Sequence, residues 1–266
     1  MGVSSVTRPL VRTAVWLASR ALLDPPSTDL ACEDRSAVDR YLRSLFDETD
    51  GDPEEMDGDT GETDGDAEPS SRGTPPQRPP LPHTQSPGST LGLLATVVAD
   101  SPIVLHGSND GTIETFEPRT QTDWRGSETT AVFATTDPLL AIFFATLDRD
   151  VYRGSIRNGG FLVETPTGGV DRRNFFSIVE TGATKPFTDG TVYLLPADAF
   201  EPAEWRTVGF DEWYCDRPVA PLASIDVTPE DFPADRYLAT HREHESVYRS
   251  MLAYRWRRRR SAYESG

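Results

Sequence analysis

Three short stretches carry residue types from which a chemical site could be built. In the first, Ile103-Val104-Leu105 leads into His106, Gly107 and Ser108. Pro102 precedes this run and Asn109-Asp110-Gly111 follows it, so it reads as a buried strand ending in a turn. A histidine at such an end can face a cleft and exchange hydrogen bonds with a ligand, and the glycine lets backbone come close to that ligand. In the second, Ala131 to Thr135 reads as a strand and Asp137-Pro138 as a helix start, leading to Phe143 on an apolar helix side. In the third, Asp211-Glu212-Trp213-Tyr214-Cys215, a glutamate opens a strand. A carboxylate beside a reacting centre can stabilise developing positive charge and accept a proton from the attacking group. Each residue also has a plainer reading: a satisfied strand-end histidine, a core phenylalanine, a strand-edge glutamate.

In this order the three stretches resemble the ADP-ribosyltransferase fold, in the branch with a His–aromatic–Glu signature that includes poly(ADP-ribose) polymerases. The first two are also similar to the small rifampicin-inactivating transferases. The resemblance covers about residues 100–230 and implies an α+β fold with a split β-sheet core and few helices. It implies NAD as the substrate, with His106 on a ribose hydroxyl, Gly107 offering backbone groups to the nicotinamide carboxamide, and Ser108 lining the same site. Phe143 stands where the family usually has a tyrosine that stacks on the nicotinamide ring; it keeps the flat apolar surface and loses the hydroxyl. Glu212 matches the catalytic glutamate. Breaking the nicotinamide–ribose bond develops positive charge on the sugar, as in glycoside hydrolysis, which is why a carboxylate is wanted there. The implied activity is ADP-ribosyl transfer to an unknown acceptor, or NAD hydrolysis. Two alternatives stay open: a non-catalytic interaction module on the same fold, and an enzyme related to the RNA 2′-phosphotransferases. The latter needs cations around the cleft, for which Arg119, Arg125, Arg172 and Arg173 are the loop candidates.

These residues must be positioned by regular elements. Residues 7–23 read as an amphipathic helix that Asp24-Pro25-Pro26 stops, and a second helix is expected from Ser36 to Phe46. Two helices this short cannot bury a core alone and should dock on the main domain or on a partner. The region 91–235 reads as the main domain, opening with a helix over 91–99. Strands are expected at Val151–Ile156 and Phe161–Glu164, joined by a hairpin turn at Asn158-Gly159. More follow at Phe175–Glu180, Thr191–Leu195, Glu212–Cys215 and Ala223–Val227, while Gln121 to Thr129 reads as a polar loop. Tyr237 to Arg258 reads as a closing helix within a C-terminal segment, 236–266.

Composition narrows the classes. Of the formal net charge of −17, Asp47 to Glu68 carries −12 and no basic residue. Pro69 to Thr90 adds seven prolines, so 47–90 reads as a disordered linker between an N-terminal helical segment, 1–46, and the main domain. The acidic balance argues against a general nucleic-acid binder; Arg257 to Arg260 is the basic run that could hold phosphates. The single lysine among 25 arginines, with the low pI, fits a high-GC, salt-adapted source. Cys32 and Cys215 are too few for a disulfide framework or a zinc site and fit a reducing cytoplasm. Arg8, Arg12 and Arg20 interrupt the N-terminal apolar stretch, which excludes it as a membrane span. No phosphate loop of Rossmann or P-loop type occurs, and His241 and His244 lack the pattern of a zinc protease.

Overall fold

A computed structural model describes residues 7–22, 89–122, 127–179, 186–204, 208–246 and 249–252. The helix expected over 36–46, the linker between 47 and 88 and the arginines at 257–260 lie outside the described residues. Among those described the fold is mixed α+β, with mostly antiparallel strands and few helices. No described helix is long and apolar enough to cross a membrane.

The centre is a sheet of three strands, β1 (Ile103–Ser108), β6 (Gly190–Pro196) and β10 (Ala223–Val227), with β6 in the middle. The apolar runs in β1 and β6 have their physical reason here: both strands are buried on both faces. Ile103, Leu105, Val192 and Leu194 pack into one cluster, while Val104, Tyr193 and Leu195 pack into another on the opposite face. A second sheet is built from β2 (Arg119–Thr122), β3 (Glu128–Ala134), β7 (Glu201–Pro202) and β9 (Trp213–Cys215), in the order β2-β3-β9-β7. A third is built from β4 (Ile156–Glu164), β5 (Val170–Val179), β8 (Val208–Phe210) and β11 (Leu238–His241), in the order β11-β5-β4-β8. The first two sheets touch through a bridge between Leu105 and Thr135.

Among the described residues, the sheets are flanked by the helices α1 (Thr7–Leu22), α2 (Ser89–Asp100), α3 (Pro138–Thr146) and α4 (Ala234–Tyr237), and residues 249–252 are helical as well. The start of α3 is as expected, with Asp137 accepting from the Leu139 N–H and Pro138 in the first turn. This helix lies so close to the central sheet that no side chain fits between them. A Cβ on Gly107 would stand 2.0 Å from the Ala141 carbonyl oxygen, and one on Gly190 would stand 1.9 Å from that of Ala145. The glycine after His106 therefore admits a helix, a requirement additional to any ligand. The docking expected of α1 is observed: the Trp16 indole N–H donates to Asp171 on β5 at 3.1 Å.

Five expectations are corrected. The strand expected over Val151–Ile156 is not formed, and of these residues only Ile156 is in a strand, as the first of β4. Asn158-Gly159 is not a turn; it lies inside β4, which runs unbroken to Glu164. Its glycines answer to close packing, since a Cβ on Gly159 would strike the Phe161 and Phe210 rings and one on Gly160 would stand 2.8 Å from Asp137 Oδ2. The reversal comes later, at Thr165–Gly169, with Gly168 at a φ of 90°. Residues 121 and 122 belong to a hairpin of β2 with β3, not to a loop. The strand expected over Glu212–Cys215 begins at Trp213, leaving Glu212 just before it. Of the closing helix expected over Tyr237 to Arg258, the described residues 249–252 are helical, whereas its first part is instead the end of α4 and then β11, which joins β5 in parallel across the boundary drawn at 235. Ala239 and His241 are buried and alternate with Leu238 and Thr240, a period of two in a stretch whose apolar residues also fit a helix.

Candidate functional site: a cleft between His106 and Glu212

One cleft of about 710 Å³ opens where the three sheets meet. His106, Gly107 and Ser108 from β1 line it, as do Glu212 and Asp211 from the approach to β9. Chain segments 106 residues apart in number thus meet across one space, as the three-stretch reading requires.

His106 is held at one nitrogen. Its Nδ1 lies 2.6 Å from the Phe133 carbonyl oxygen. A carbonyl only accepts, so Nδ1 carries the hydrogen and Nε2 is the acceptor left to face a ligand. The ring leans on Phe116, with centroids 4.6 Å apart. Burial lowers the pKa of His106, the Phe133 hydrogen bond opposes this, and the nearby Arg119 lowers it further. Burial and Arg119 thus favour the neutral imidazole, the form that accepts from a hydroxyl. Ser108 is already engaged, accepting from the Asp110 N–H at 3.1 Å.

Glu212 is held at both ends of the residue. Its carbonyl accepts from the Ala203 N–H at 2.8 Å, and its Oε2 accepts from the Tyr214 hydroxyl at 2.7 Å. Asp211, one residue before it, is buried and anchors the segment from behind. Asp211 Oδ2 meets Arg172 Nη2 at 2.7 Å and the Thr136 hydroxyl at 2.8 Å. The Arg172 guanidinium also donates to the Thr136 carbonyl at 2.8 Å, which ties β5, the turn before α3 and the Glu212 segment together. Asp137, close by, is fully buried; burial raises its pKa, Arg172 lowers it, and Asp211 raises it.

Phe143 does not reach the cleft. It is 0% exposed and packs among Phe176, Phe187 and Phe232 in the core. The next residue, Phe144, is 37% exposed and lines the cleft with Leu140 and Ala141. Leu140 and Phe144 are four residues apart, one helical turn, so they share the face of α3 that the cleft uses. The sequence alone does not separate Phe143 from Phe144, because almost every residue of this helix is apolar and the period carries no contrast. Sequence reasoning also passed over Arg149, Asn158 and Phe210, which line the cleft, and Tyr214, which donates to Glu212.

The four arginines nominated for an RNA phosphate separate. Arg119 lines the cleft. Arg172 is taken by Asp211 and Thr136, Arg173 is buried against Asp171, and Arg125 lies outside the described residues. Arg119 and Arg149 form no ion pair among the described residues and add two positive charges to a cleft that Glu117 and Glu212 also line.

No family model, no curated protein and no solved structure matches this chain.

Proposed function

We propose that the cleft binds NAD and breaks its nicotinamide–ribose bond, transferring ADP-ribose to an acceptor or to water. The observation that carries the reading is that His106 and Glu212 line the same open cleft, in the company of an exposed aromatic face. His106 Nε2 accepts from a ribose hydroxyl. Phe144, in the role that the sequence reading gave to Phe143, offers its face to the nicotinamide ring. Arg119 and Arg149 give the diphosphate cationic partners. The carbon–nitrogen bond breaks with its electron pair leaving on nicotinamide, and the acceptor's lone pair forms the new bond to the same ribose carbon. Glu212 stabilises the positive charge on the sugar and takes the acceptor's proton. The arrangements that would sink this reading are His106 and Glu212 on opposite sides of the domain, or side chains filling the space between them; neither is observed.

The test is purified full-length protein with labelled NAD in high salt. We expect NAD to raise the melting temperature and nicotinamide to be released, with water or with an acceptor panel. Absence of both effects at millimolar NAD overturns the proposal.

A further inference from the structure

We infer that Tyr214 is a positioning residue for Glu212, and that the cross-strand pair Phe133–Tyr214 sets both functional side chains of the cleft. The inference rests on the reading of Glu212 as the reacting carboxylate.

Phe133 on β3 and Tyr214 on β9 are direct partners in the antiparallel register. Their rings meet edge to face, with centroids 5.1 Å apart and planes at 80°, a favoured aromatic geometry. From this pair two hydrogen bonds go outward. The Phe133 carbonyl receives His106 Nδ1 at 2.6 Å and so fixes which histidine nitrogen faces the cleft. The Tyr214 hydroxyl donates to Glu212 Oε2 at 2.7 Å and so holds one carboxylate oxygen in a fixed place. Phe133 and Glu212 are among the residues that line the cleft and Tyr214 is not. Its hydroxyl therefore acts on a ligand through Glu212. Reactions of this kind depend steeply on where the carboxylate stands relative to the sugar, because orientation contributes several kcal/mol to the barrier. A carboxylate that loses this hold on one oxygen gives up part of that, while binding of the dinucleotide elsewhere in the cleft is untouched.

Tyr214→Phe isolates the claim, since it keeps the ring against Phe133 and deletes only the hydroxyl. It is measured beside Glu212→Gln and the double variant, by nicotinamide release and by thermal melting. For Tyr214→Phe we expect kcat to fall about tenfold or more, KM for NAD to stay within about twofold, and the melting temperature to stay at the parent value. The double variant should be no slower than Glu212→Gln alone, because two residues acting through one group do not add. If Glu212→Gln is slow and Tyr214→Phe turns over at the parent rate, the inference falls and the reading of the cleft stands. A rise in KM at unchanged kcat, or a loss that adds to that of Glu212→Gln, assigns Tyr214 a different role and overturns it. If Glu212→Gln keeps the parent rate, the reading and the inference fall together.

Discussion

Two histidines stand in contrasting surroundings, one at the cleft and one where the end of the described chain closes over the third sheet. His241 ends β11 and is 3% exposed. Its Nε2 meets Ser155 Oγ at 2.9 Å and its Nδ1 meets Ser177 Oγ at 2.7 Å. Hydroxyls can donate or accept, so a neutral imidazole between two serines has both nitrogens satisfied. His106 has one nitrogen bound to a backbone carbonyl and turns the other toward open space. Burial lowers the pKa of both; for His241, Arg157 lowers it further and Glu245 opposes. Burial and a lowered pKa are therefore common to both histidines; what differs is the second nitrogen, which a serine hydroxyl meets in His241 and no described residue meets in His106.

The largest effect that can break this contrast is on stability. His241→Ala removes a packed ring and leaves the Ser177 hydroxyl, in a residue 0% exposed, without its partner. A buried hydroxyl without a partner costs about 1–3 kcal/mol, and the lost packing adds to it. We expect chemical denaturation to show a loss of roughly 2–4 kcal/mol, with NAD affinity of the folded protein unchanged. The neighbouring clamp, in which the Arg157 guanidinium holds Ser250 and the Glu245 carbonyl, keeps the segment in place and makes a folded variant obtainable. A weakened NAD affinity in His241→Ala would show that the two regions are not separable.

His106→Ala is the mirror experiment, with a smaller effect. The Phe133 carbonyl that it abandons sits at the cleft, where water can replace the lost donor. Stability should fall by no more than about 1 kcal/mol. Loss of one hydrogen bond to a ribose hydroxyl corresponds to roughly tenfold in affinity, about 1.4 kcal/mol. Calorimetric titration with NAD checks the number. A protein that melts several degrees lower and binds NAD as before would make His106 the structural histidine and overturn the contrast.

The same contrast explains what the residues alone could tell. Strands buried on both faces announce themselves as unbroken apolar runs, so β1 and β6 were legible, and a helix opened by Asp137-Pro138 was legible at its start. His106 and Glu212 were legible as candidates because each closes or precedes such an element. Phe144 was not, because in a helix of Leu, Ile, Phe and Ala the exposed face looks like the buried one. His241 was misplaced on a helix for a related reason: the helical spacing of Met251 and Leu252, which are helical, extends back to Leu238, and nothing local reveals that 238–241 pairs with β5. Arg172–Asp211 and Phe133–Tyr214 are pairings of distant strands, visible once the sheets are assembled.

The smallest effect concerns protons. Each histidine has a folded pKa below its ordinary value near 6.5, so between the two values the unfolded chain binds more protons than the folded one. Stability then rises with pH: each contribution is fully present above about 6.5 and is lost as pH falls toward the folded value. One group contributes at most about 1.4 kcal/mol per pH unit. Asp137, whose pKa is raised, has the opposite slope in its own window, and comparing variants with the parent cancels it. In unfolding experiments from pH 7 to pH 5, His241→Gln and His106→Gln should each give a flatter profile than the parent. Adding NAD separates them. A ligand hydroxyl donating to Nε2 pushes the His106 pKa down further and leaves His241 as it was. In a Glu212→Gln background, which stops turnover, NAD should steepen the profile of the His241→Gln variant and have no such effect in His106→Gln. Steepening in the His106→Gln protein would mean that NAD is sensed by another group, and the cleft histidine would lose its assigned contact.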